Sequence, residues 1–342
     1  KNGVPLTWKQ LARNKKTITL SLSKPAGQAL FCRLIEKAQA DVLIESFRAG
    51  TFERWNLSYE RLWALAPGLT MIRVSGFGQT GPYKDRPGFG TLAEAMSGFA
   101  HVTGQPDGPP TLPPFPLADT TAALYATIGA LLCLYRRDAK KAGRGQMIDV
   151  SLLESLYSML SGHAIVYDQL GLPGPRTGNR TSGSAPRNTY RTKDDRWIAT
   201  AGSTQALTER LFREMGRPDL ITDPRFKSNR ERLTNVEALD EIVGAWVRER
   251  TQAQCIEQLI KAEVAVAPVA DFKDLAEDPH LNPRQALAVI DDPELGTLRM
   301  PDVQPRLSET PGTIRYAGLP MGVHNEEIYG ELLGLTEEEL KA

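Results

Sequence analysis

Short apolar runs alternate with amphipathic segments through the first half of the chain. The runs at 17–22, 41–47 and 69–76 predict strands, and the segments that begin at Pro25 and near Tyr59 predict helices. Pro25 suits a first helical position, because an N–H there would have no partner within the helix. The order strand, helix, strand, helix, strand is typical of a parallel sheet, so we expect an α/β domain.

A further helix from Asp119 to Tyr135, a strand at 146–153 and a long helix to Leu170 continue this domain. The composition then shifts to Gly, Pro and Ser over 171–186, which predicts a linker. Beyond it the pattern predicts a hairpin, three amphipathic helices (204–215, 235–249 and 251–262) and the strand "VAVAPVA". We therefore expect a large α/β domain at 1–175, a linker at 176–186, a small α+β domain at 187–298 and a return to the large domain at 299–342.

The charges balance over the whole chain but not along it. The sequence has 342 residues with 41 Lys and Arg against 41 Asp and Glu, which excludes a broadly basic nucleic-acid binder. Residues 1–33 nevertheless hold seven basic residues and no acidic one. Clustered Lys and Arg beside an α/β sheet suit a ligand that carries several phosphates.

The cysteines and histidines argue against a metal or disulfide framework. Cys32, Cys133 and Cys255 are widely spaced among apolar neighbours, which predicts buried free thiols and a reducing, cytoplasmic setting. The four histidines have no metal-ligand spacing, so we expect no metal site. The longest apolar run, at 122–135, is shorter than the ~18 residues of a membrane span, and we expect neither a membrane segment nor a signal peptide.

A glycine motif, "GFGQTG" at 76–81, follows a predicted strand and matches the dinucleotide-binding pattern G-x-G-x-x-G. That pattern needs a helix next, since the pyrophosphate sits on the helix N-terminus. Pro82 follows at once, and Pro87 and Gly88 come soon after, so a helix is not expected there. The motif therefore predicts a structured substrate loop rather than a nucleotide site.

Asp119 begins a predicted helix after a proline-rich loop. One interpretation is a helix N-cap, a position that Asp fills well. The other is a nucleophile, because the helix dipole favours an ionised carboxylate that can attack an activated acyl group. The local pattern leaves both open.

Several segments in order resemble one known family. They include "RNKKTITLSLSKPAG" (13–27), "SFRAGTFERWNLSYERL" (46–62), "SGFGQTGPYKDRPGFG" (75–90), "LADTTAALYA" (117–126) and "GRGQMIDVSLLES" (143–155). Together they resemble the class III CoA-transferases, also called the CaiB/BaiF or formyl-CoA transferase family, over nearly the whole chain. The resemblance implies an interlocked homodimer, each subunit having a large Rossmann-like domain and a small domain. It also implies transfer of CoA from an acyl-CoA to a carboxylic acid, with CoA as substrate and no cofactor.

The resemblance also implies roles for particular residues. Asp119 matches the catalytic aspartate, which forms a mixed anhydride and then an aspartyl-CoA thioester. The CoA-binding positions are Leu20, Phe47, Arg48 and Arg54, with Lys24 one place from a family lysine. The substrate loop is Gly88, Phe89 and Gly90, where Gly90 replaces an acidic residue of many relatives, and Gly183 falls where some members have a glycine-rich loop over the active site.

Two alternatives stay open. An α-methylacyl-CoA racemase shares the family fold, but it pairs the aspartate with a His in the loop that here reads "GFGTLAEA", without His. A non-catalytic CoA-binding protein is the other alternative. What favours it is the absence from this sequence of a strand and a helix that the family has upstream of Arg13.

Overall fold

The structure is a computed structural model that describes residues 1 and 3–341. The chain divides into two compact units. The first contains Lys1–Ala100, Leu112–Leu170 and the segment from Asp278 onward, and the second contains His101–Thr111 and Gly171–Glu277. The stretch 278–298, expected in the smaller domain, groups with the first unit. An ion pair between Asp292 and Lys9 joins its hairpin to the N-terminal helix.

A parallel three-stranded sheet lies in the first unit, as the sequence predicts. The strands are β1 (Val42–Glu45), β2 (Thr70–Ser75) and β3 (Met147–Ser151), in the order β1-β2-β3. Ile44 pairs with Ile72, and Ile72 pairs with Ile148. Because the three strands run in one direction, their carboxyl ends meet at a single edge of the sheet.

The helices of the first unit include α1 (Leu6–Leu11), α2 (Pro25–Ala38), α3 (Thr51–Arg54), α4 (Tyr59–Leu65), α5 (Gly90–Met96), α7 (Leu117–Asp138), α8 (Leu152–Met159) and α9 (Ser161–Leu170), and the short α6 (Phe99–Val102) spans the boundary between Ala100 of the first unit and His101 of the second. The expected long helix to Leu170 is thus two helices, α8 and α9, separated at Leu160. A π-helix at Glu326–Leu332 and α15 (Glu337–Lys341) end the chain.

The sheet is covered on both sides by apolar side chains. Ala118, Ala122 and Ala126 of α7 pack with Ile72 of β2 in one core cluster. Phe52 and Leu62 of α3 and α4 pack with Leu69 and Met71 in another. Small side chains on α7 bring this helix close to the strands, which fixes its N-terminus near the carboxyl edge of the sheet.

The predicted strand at 17–22 is wrong, because no residue of this segment belongs to a strand. Its backbone is instead bonded by side chains of the C-terminal segment. The Thr17 N–H donates to His324 Nδ1 at 3.0 Å, and the Thr19 N–H donates to Asn325 Oδ1 at 2.9 Å. An apolar alternation predicts an extended backbone, but it does not reveal which groups satisfy that backbone.

The second unit has an antiparallel sheet of β4 (Arg187–Arg191), β5 (Trp197–Ala201) and β6 (Val266–Pro268). Its helices are α10 (Gln205–Glu214), α11 (Asn229–Thr234), α12 (Val236–Arg248), α13 (Gln252–Lys261) and α14 (Phe272–Glu277). The predicted hairpin and three amphipathic helices are confirmed. Their core includes Ile198, Phe212, Val243 and Leu259, each almost fully buried. The hairpin β7 (Leu287–Asp292) and β8 (Gly296–Pro301) belongs to the first unit.

Helix α7 departs from the expectation of no membrane-length segment. Its 22 residues are long and apolar enough to cross a membrane, the one such helix among the described residues. One face of α7 packs on the sheet, burying Ala118, Ala122 and Cys133, as a core helix does. The opposite face exposes a stripe of large apolar residues: Leu124, Ile128, Leu131, Leu132 and Tyr135.

The predicted thiols at Cys32, Cys133 and Cys255 are free and buried.

Candidate active site

A cavity of about 370 Å³ lies at the carboxyl edge of the parallel sheet. Residues at the end of each strand line it: Ser46 to Arg48 follow β1, Ser75 ends β2 and Gly76 follows it, and Leu152 follows β3. Asp119, from the start of α7, lines the same cavity. The site is therefore built where parallel α/β sheets bind their ligands.

Asp119 is the third residue of α7 rather than its cap. The helix begins at Leu117, and Pro116 occupies the N-cap position with no side-chain cap hydrogen bond. The buried Glu94 of α5 accepts a hydrogen bond from the Ala118 N–H at 3.2 Å. The N-cap interpretation of Asp119 is thus wrong. Its carboxylate is exposed to the cavity in the first turn, where the helix dipole favours negative charge.

Glycines bring the substrate loop close to Asp119. Gly76 and Gly88 approach so closely that a Cβ on Gly76 would lie 2.7 Å from the Gly88 Cα. Gly90 lies against the aspartate itself, since a Cβ there would overlap Asp119 Oδ2 and stand 3.1 Å from Cγ. The predicted loop residues Gly88 and Phe89 line the cavity. The glycine motif is not followed by a helix until α5 begins at Gly90, as predicted.

Three cations line the same cavity: Arg48, Lys84 and Arg86. Among the described residues, no carboxylate forms an ion pair with any of them, and the Arg86 guanidinium lies 3.6 Å from the centre of the Tyr83 ring. No sequence motif or family position marks Lys84 or Arg86 individually. Their position in the Gly- and Pro-rich loop 76–88 was the available signal, because such loops build sites at strand ends. The arrangement offers an anionic ligand unpaired positive charge beside the Asp119 carboxylate.

Phe47 and Arg54, two of the expected CoA-binding residues, lie at opposite ends of one loop. Phe47 lines the cavity and packs its ring 4.9 Å from Trp55 and 5.5 Å from Phe52. Arg54 ends α3 and donates to Thr51 Oγ1 at 2.8 Å, away from the residues that line this cavity. The loop therefore places Phe47 and Arg48 at Asp119 and Arg54 beyond them.

Leu20 and Lys24 line a different cavity of the first unit, of about 890 Å³. Arg33 of α2 and Tyr329 of the π-helix also line it. The structure thus places Phe47 and Arg48 in one cavity, Leu20 and Lys24 in another, and Arg54 in neither. The basic N-terminal stretch contributes Lys24 and Arg33 to the larger one.

Gly183 lies in the second unit, where its carbonyl oxygen accepts a hydrogen bond from the Asn229 amide at 3.0 Å. Its expected role over the active site stays a prediction. Within residues 1 and 3–341, no group of three or more His, Cys, Asp or Glu side chains is placed to hold a metal ion.

Known proteins match this chain over nearly its whole length. The model of CoA-transferase family III matches residues 1–325. The chain is 42% identical over 338 residues to the succinyl-CoA–D-citramalate CoA-transferase of Chloroflexus aurantiacus, covering 99% of this chain and 83% of that relative. It is 40% identical over 341 residues to the succinyl-CoA–L-malate CoA-transferase beta subunit of the same organism, with coverage of 99% and 83%.

A solved structure of a CaiB/BaiF family protein from Brucella suis superposes with a TM-score of 0.81 at 28% identity, covering 94% of this chain and 82% of that one. The mixed α/β fold is therefore that of CaiB/BaiF proteins. These matches and the motifs quoted above show that the chain belongs to CoA-transferase family III and is a CoA-transferase.

Proposed function

We propose that this enzyme moves CoA from succinyl-CoA to a small dicarboxylic acid, with Asp119 as the nucleophile. The observation that carries the proposal is the cavity in which Asp119 lies with three cations that no carboxylate of the described residues pairs. One carboxylate of the acceptor must approach Asp119 to react. A second carboxylate of the acceptor would have Lys84 and Arg86 available as partners. These two cations come from the loop at 76–88, whereas Arg48 comes from the loop after β1. The names of the two Chloroflexus relatives, which specify citramalate and malate as acceptors, support the same substrate class.

The first half of the reaction removes the acyl group from CoA. An Asp119 carboxylate oxygen attacks the thioester carbonyl carbon, and the C–S bond breaks to release CoA thiolate and an aspartyl-succinyl mixed anhydride. The thiolate then attacks the Asp119 carbonyl carbon of that anhydride. This step forms an aspartyl-CoA thioester and releases succinate.

The second half repeats the exchange with the acceptor. Its carboxylate attacks the aspartyl thioester, which forms a new mixed anhydride and frees the thiolate once more. The thiolate attacks the acceptor's acyl carbon, giving the new acyl-CoA and a free Asp119 carboxylate. Each step exchanges a carboxylate and a thiolate as nucleophile and leaving group, so electrons and protons balance without an added oxidant or base.

The exposure of Asp119 to the cavity suits this chemistry, because a carboxylate that bonds to large groups needs space on its reactive side. Gly90 makes room for the carboxylate itself, since a Cβ at this position would overlap Asp119 Oδ2. Phe47 and Arg48 would hold CoA near Asp119, Arg54 would contact it beyond this cavity, and Leu20 and Lys24 would contact its phosphate-bearing end in the larger cavity.

We infer further that two copies of the chain assemble, as the family resemblance implies. The support is the exposed stripe on α7: Leu131 and Leu132 are each more than 60% exposed. Apolar patches of this kind usually mark an interface. Sedimentation equilibrium would test the assembly, and a monomer at micromolar concentration would contradict it. The three buried free thiols favour a reducing compartment such as the cytoplasm.

The decisive experiment compares Asp119→Ala with Thr127→Ala. Thr127 lies on the same helix two turns away, with its hydroxyl bonded to the Ala123 carbonyl at 2.8 Å. Succinyl-CoA and a panel of mono- and dicarboxylic acids are supplied, and the acyl-CoA products are measured by mass spectrometry. Asp119→Ala should lose CoA transfer by at least about 10³-fold, whereas Thr127→Ala should keep it.

Hydroxylamine should trap the acylated aspartate on a peptide that contains Asp119. Transfer by Asp119→Ala at the parent rate would overturn the assignment of the nucleophile. Exchange of an α-proton with deuterated water in the absence of an acceptor acid would favour the racemase alternative. Tight CoA binding with neither activity would favour the non-catalytic one.

A further inference from the structure

Arg73 lies on β2, the central strand of the parallel sheet, and only 5% of its surface is exposed. Its Nε donates to Oε1 of the equally buried Glu45 at 2.7 Å. Its two terminal nitrogens donate to both carboxylate oxygens of Glu53, at 2.6 and 3.2 Å. One planar guanidinium therefore holds two carboxylates from two different elements.

The two carboxylates lie at either end of one loop. Glu45 is the last residue of β1, and Glu53 is in α3. The second oxygen of Glu45 accepts a hydrogen bond from the Phe47 N–H at 2.7 Å. Between these anchors lie Ser46, Phe47 and Arg48, which line the Asp119 cavity, and Arg54 follows immediately.

We propose that Arg73 is a positioning residue that clamps the loop from Glu45 to Glu53 so that Phe47, Arg48 and Arg54 meet the CoA donor in one fixed arrangement. The inference rests on the proposed function, which assigns these three residues to CoA. Arg73 itself does not line the cavity, and it acts through the loop.

The geometry explains why an arginine is needed. Its fork presents three N–H groups in a fixed plane to two separate acids, whereas a lysine ammonium is a single point charge on a flexible stem. A buried ion pair adds little net stability, because burial of the charges offsets their attraction. The benefit of this triad is therefore the fixed position of a loop that would otherwise lose conformational freedom when it binds CoA.

Removing Glu53 distinguishes this proposal from simple electrostatics, because the two predict opposite changes in the affinity for CoA. Glu53 lies beside Arg54, and it bears a negative charge near a site for an anionic ligand. Without the clamp, loss of that charge would strengthen CoA binding. With the clamp, Glu53→Ala frees one end of the loop and weakens CoA binding, even though the positive charge at the site increases.

The test measures steady-state constants for Glu53→Ala and Arg73→Lys, with succinyl-CoA and L-malate as substrates. Glu60→Ala is the matched control, an exposed glutamate on the next helix with the same change of side chain. We expect the KM for succinyl-CoA to rise about three- to tenfold in both variants. The KM for malate and the kcat at saturation should stay within about twofold of the parent, a split that general loss of structure would not produce.

A KM for succinyl-CoA that is unchanged or lowered in Glu53→Ala would overturn the clamp. Since Glu53 is 42% exposed on its side chain, this variant should fold even if Arg73→Lys does not. Arg54→Ala, made in parallel, tests the proposed function by itself. If Arg54→Ala weakens CoA binding and Glu53→Ala does not, the CoA site stands and the clamp fails. If Arg54→Ala and Arg48→Ala both leave the KM unchanged, the assignment of the loop to CoA fails.

Discussion

The α-carbon of Gly90 lies directly against the carboxylate of Asp119, so that a β-carbon at position 90 would stand 3.1 Å from the Asp119 Cγ and overlap Oδ2. Gly90 is the first residue of α5, and Asp119 is in the first turn of α7. Two helix starts thus meet at the Asp119 carboxylate. The position taken by the carboxylate depends on the absence of a side chain at residue 90.

Gly90→Ala should therefore impair activity without impairing the fold. The added methyl group forces the flexible Asp119 side chain to rotate, and a displacement of about 1 Å at a reacting group can cost about 100-fold in rate. Alanine is the better helix former, and Gly90 has no positive φ, so thermal stability should be unchanged or slightly higher. The rate with succinyl-CoA checks the expected loss of activity, and the melting temperature checks the expected thermal stability. Parent activity in Gly90→Ala would show that the carboxylate has no fixed position.

Lys84→Met should discriminate between dicarboxylic and monocarboxylic acceptors. If Lys84 pairs with the second carboxylate of the acceptor, its loss should raise the KM for malate about tenfold. The KM for a monocarboxylic acid of equal length should be unchanged, since it has no second charge. Lys37→Met, an exposed lysine in the last turn of α2, is the control for loss of one positive charge. An equal rise for both acids would place Lys84 at the reacting carboxylate or at CoA.

The stability of the first unit should depend on pH through Lys9. Its Nζ lies 2.8 Å from Asp292 Oδ2 and 2.6 Å from Glu294 Oε2, and Lys9 and Asp292 are almost completely buried. Burial alone would raise the pKa of Asp292, but hydrogen bonds from Lys9 and from the Glu294 and Leu295 N–H groups lower it overall. Burial would likewise lower the pKa of Lys9, but its hydrogen bonds to the two carboxylates raise it overall.

These two pKa shifts determine how the stability of the fold changes with pH. The contribution of Asp292 is complete above its ordinary pKa of about 3.9 and is lost as the pH falls through the lower folded value. The contribution of Lys9 is complete below about 10.4 and is lost as the pH rises through the higher folded value. The free energy of urea unfolding should fall between pH 7 and pH 3, and it should fall less in Lys9→Met than in the parent.

Lys9→Met should also lower the free energy of unfolding at pH 7 by about 3 kcal/mol, because it leaves a buried carboxylate unpaired. Lys16→Met is the matched control, since its partner Glu327 and Lys16 itself are both exposed and such pairs contribute at most about 1 kcal/mol. Equal effects of the two substitutions would contradict the buried role of Lys9.

Much of this fold could be predicted because its signals are local. The parallel order of β1 to β3 follows from apolar runs separated by helical segments, and the site loop follows from its Gly and Pro content. Partners distant in sequence could not be predicted this way. The extended segment at Thr17 is bonded by His324, more than 300 residues away, and the strand prediction failed for that reason.

In the candidate site, too, residues in local motifs could be predicted, whereas residues whose role depends on distant partners could not. Asp119, Phe47 and Arg48 were identified through motifs, and the structure brings them to one cavity. The Gly and Pro content of the loop at 76–88 marks it as a site loop, but only the folded loop shows that Lys84 and Arg86 line the cavity. The role of Arg73 depends on two carboxylates, 28 residues before it and 20 residues before it, that only the sheet and α3 bring together.

The close approach of Gly76 and Gly88 closes the base of a loop whose tip carries Lys84 and Arg86. The base is tied further by the Ser75 hydroxyl, which accepts the Gly78 N–H at 3.0 Å, and by Asp149, which accepts the Gln79 N–H at 2.9 Å. A loop pinched at its base can change its tip in sequence and length while Phe89 and Gly90 keep their places. If Lys84 and Arg86 bind the acceptor acid as proposed, its identity can change through substitutions within this loop while Gly90 and Asp119 keep their positions.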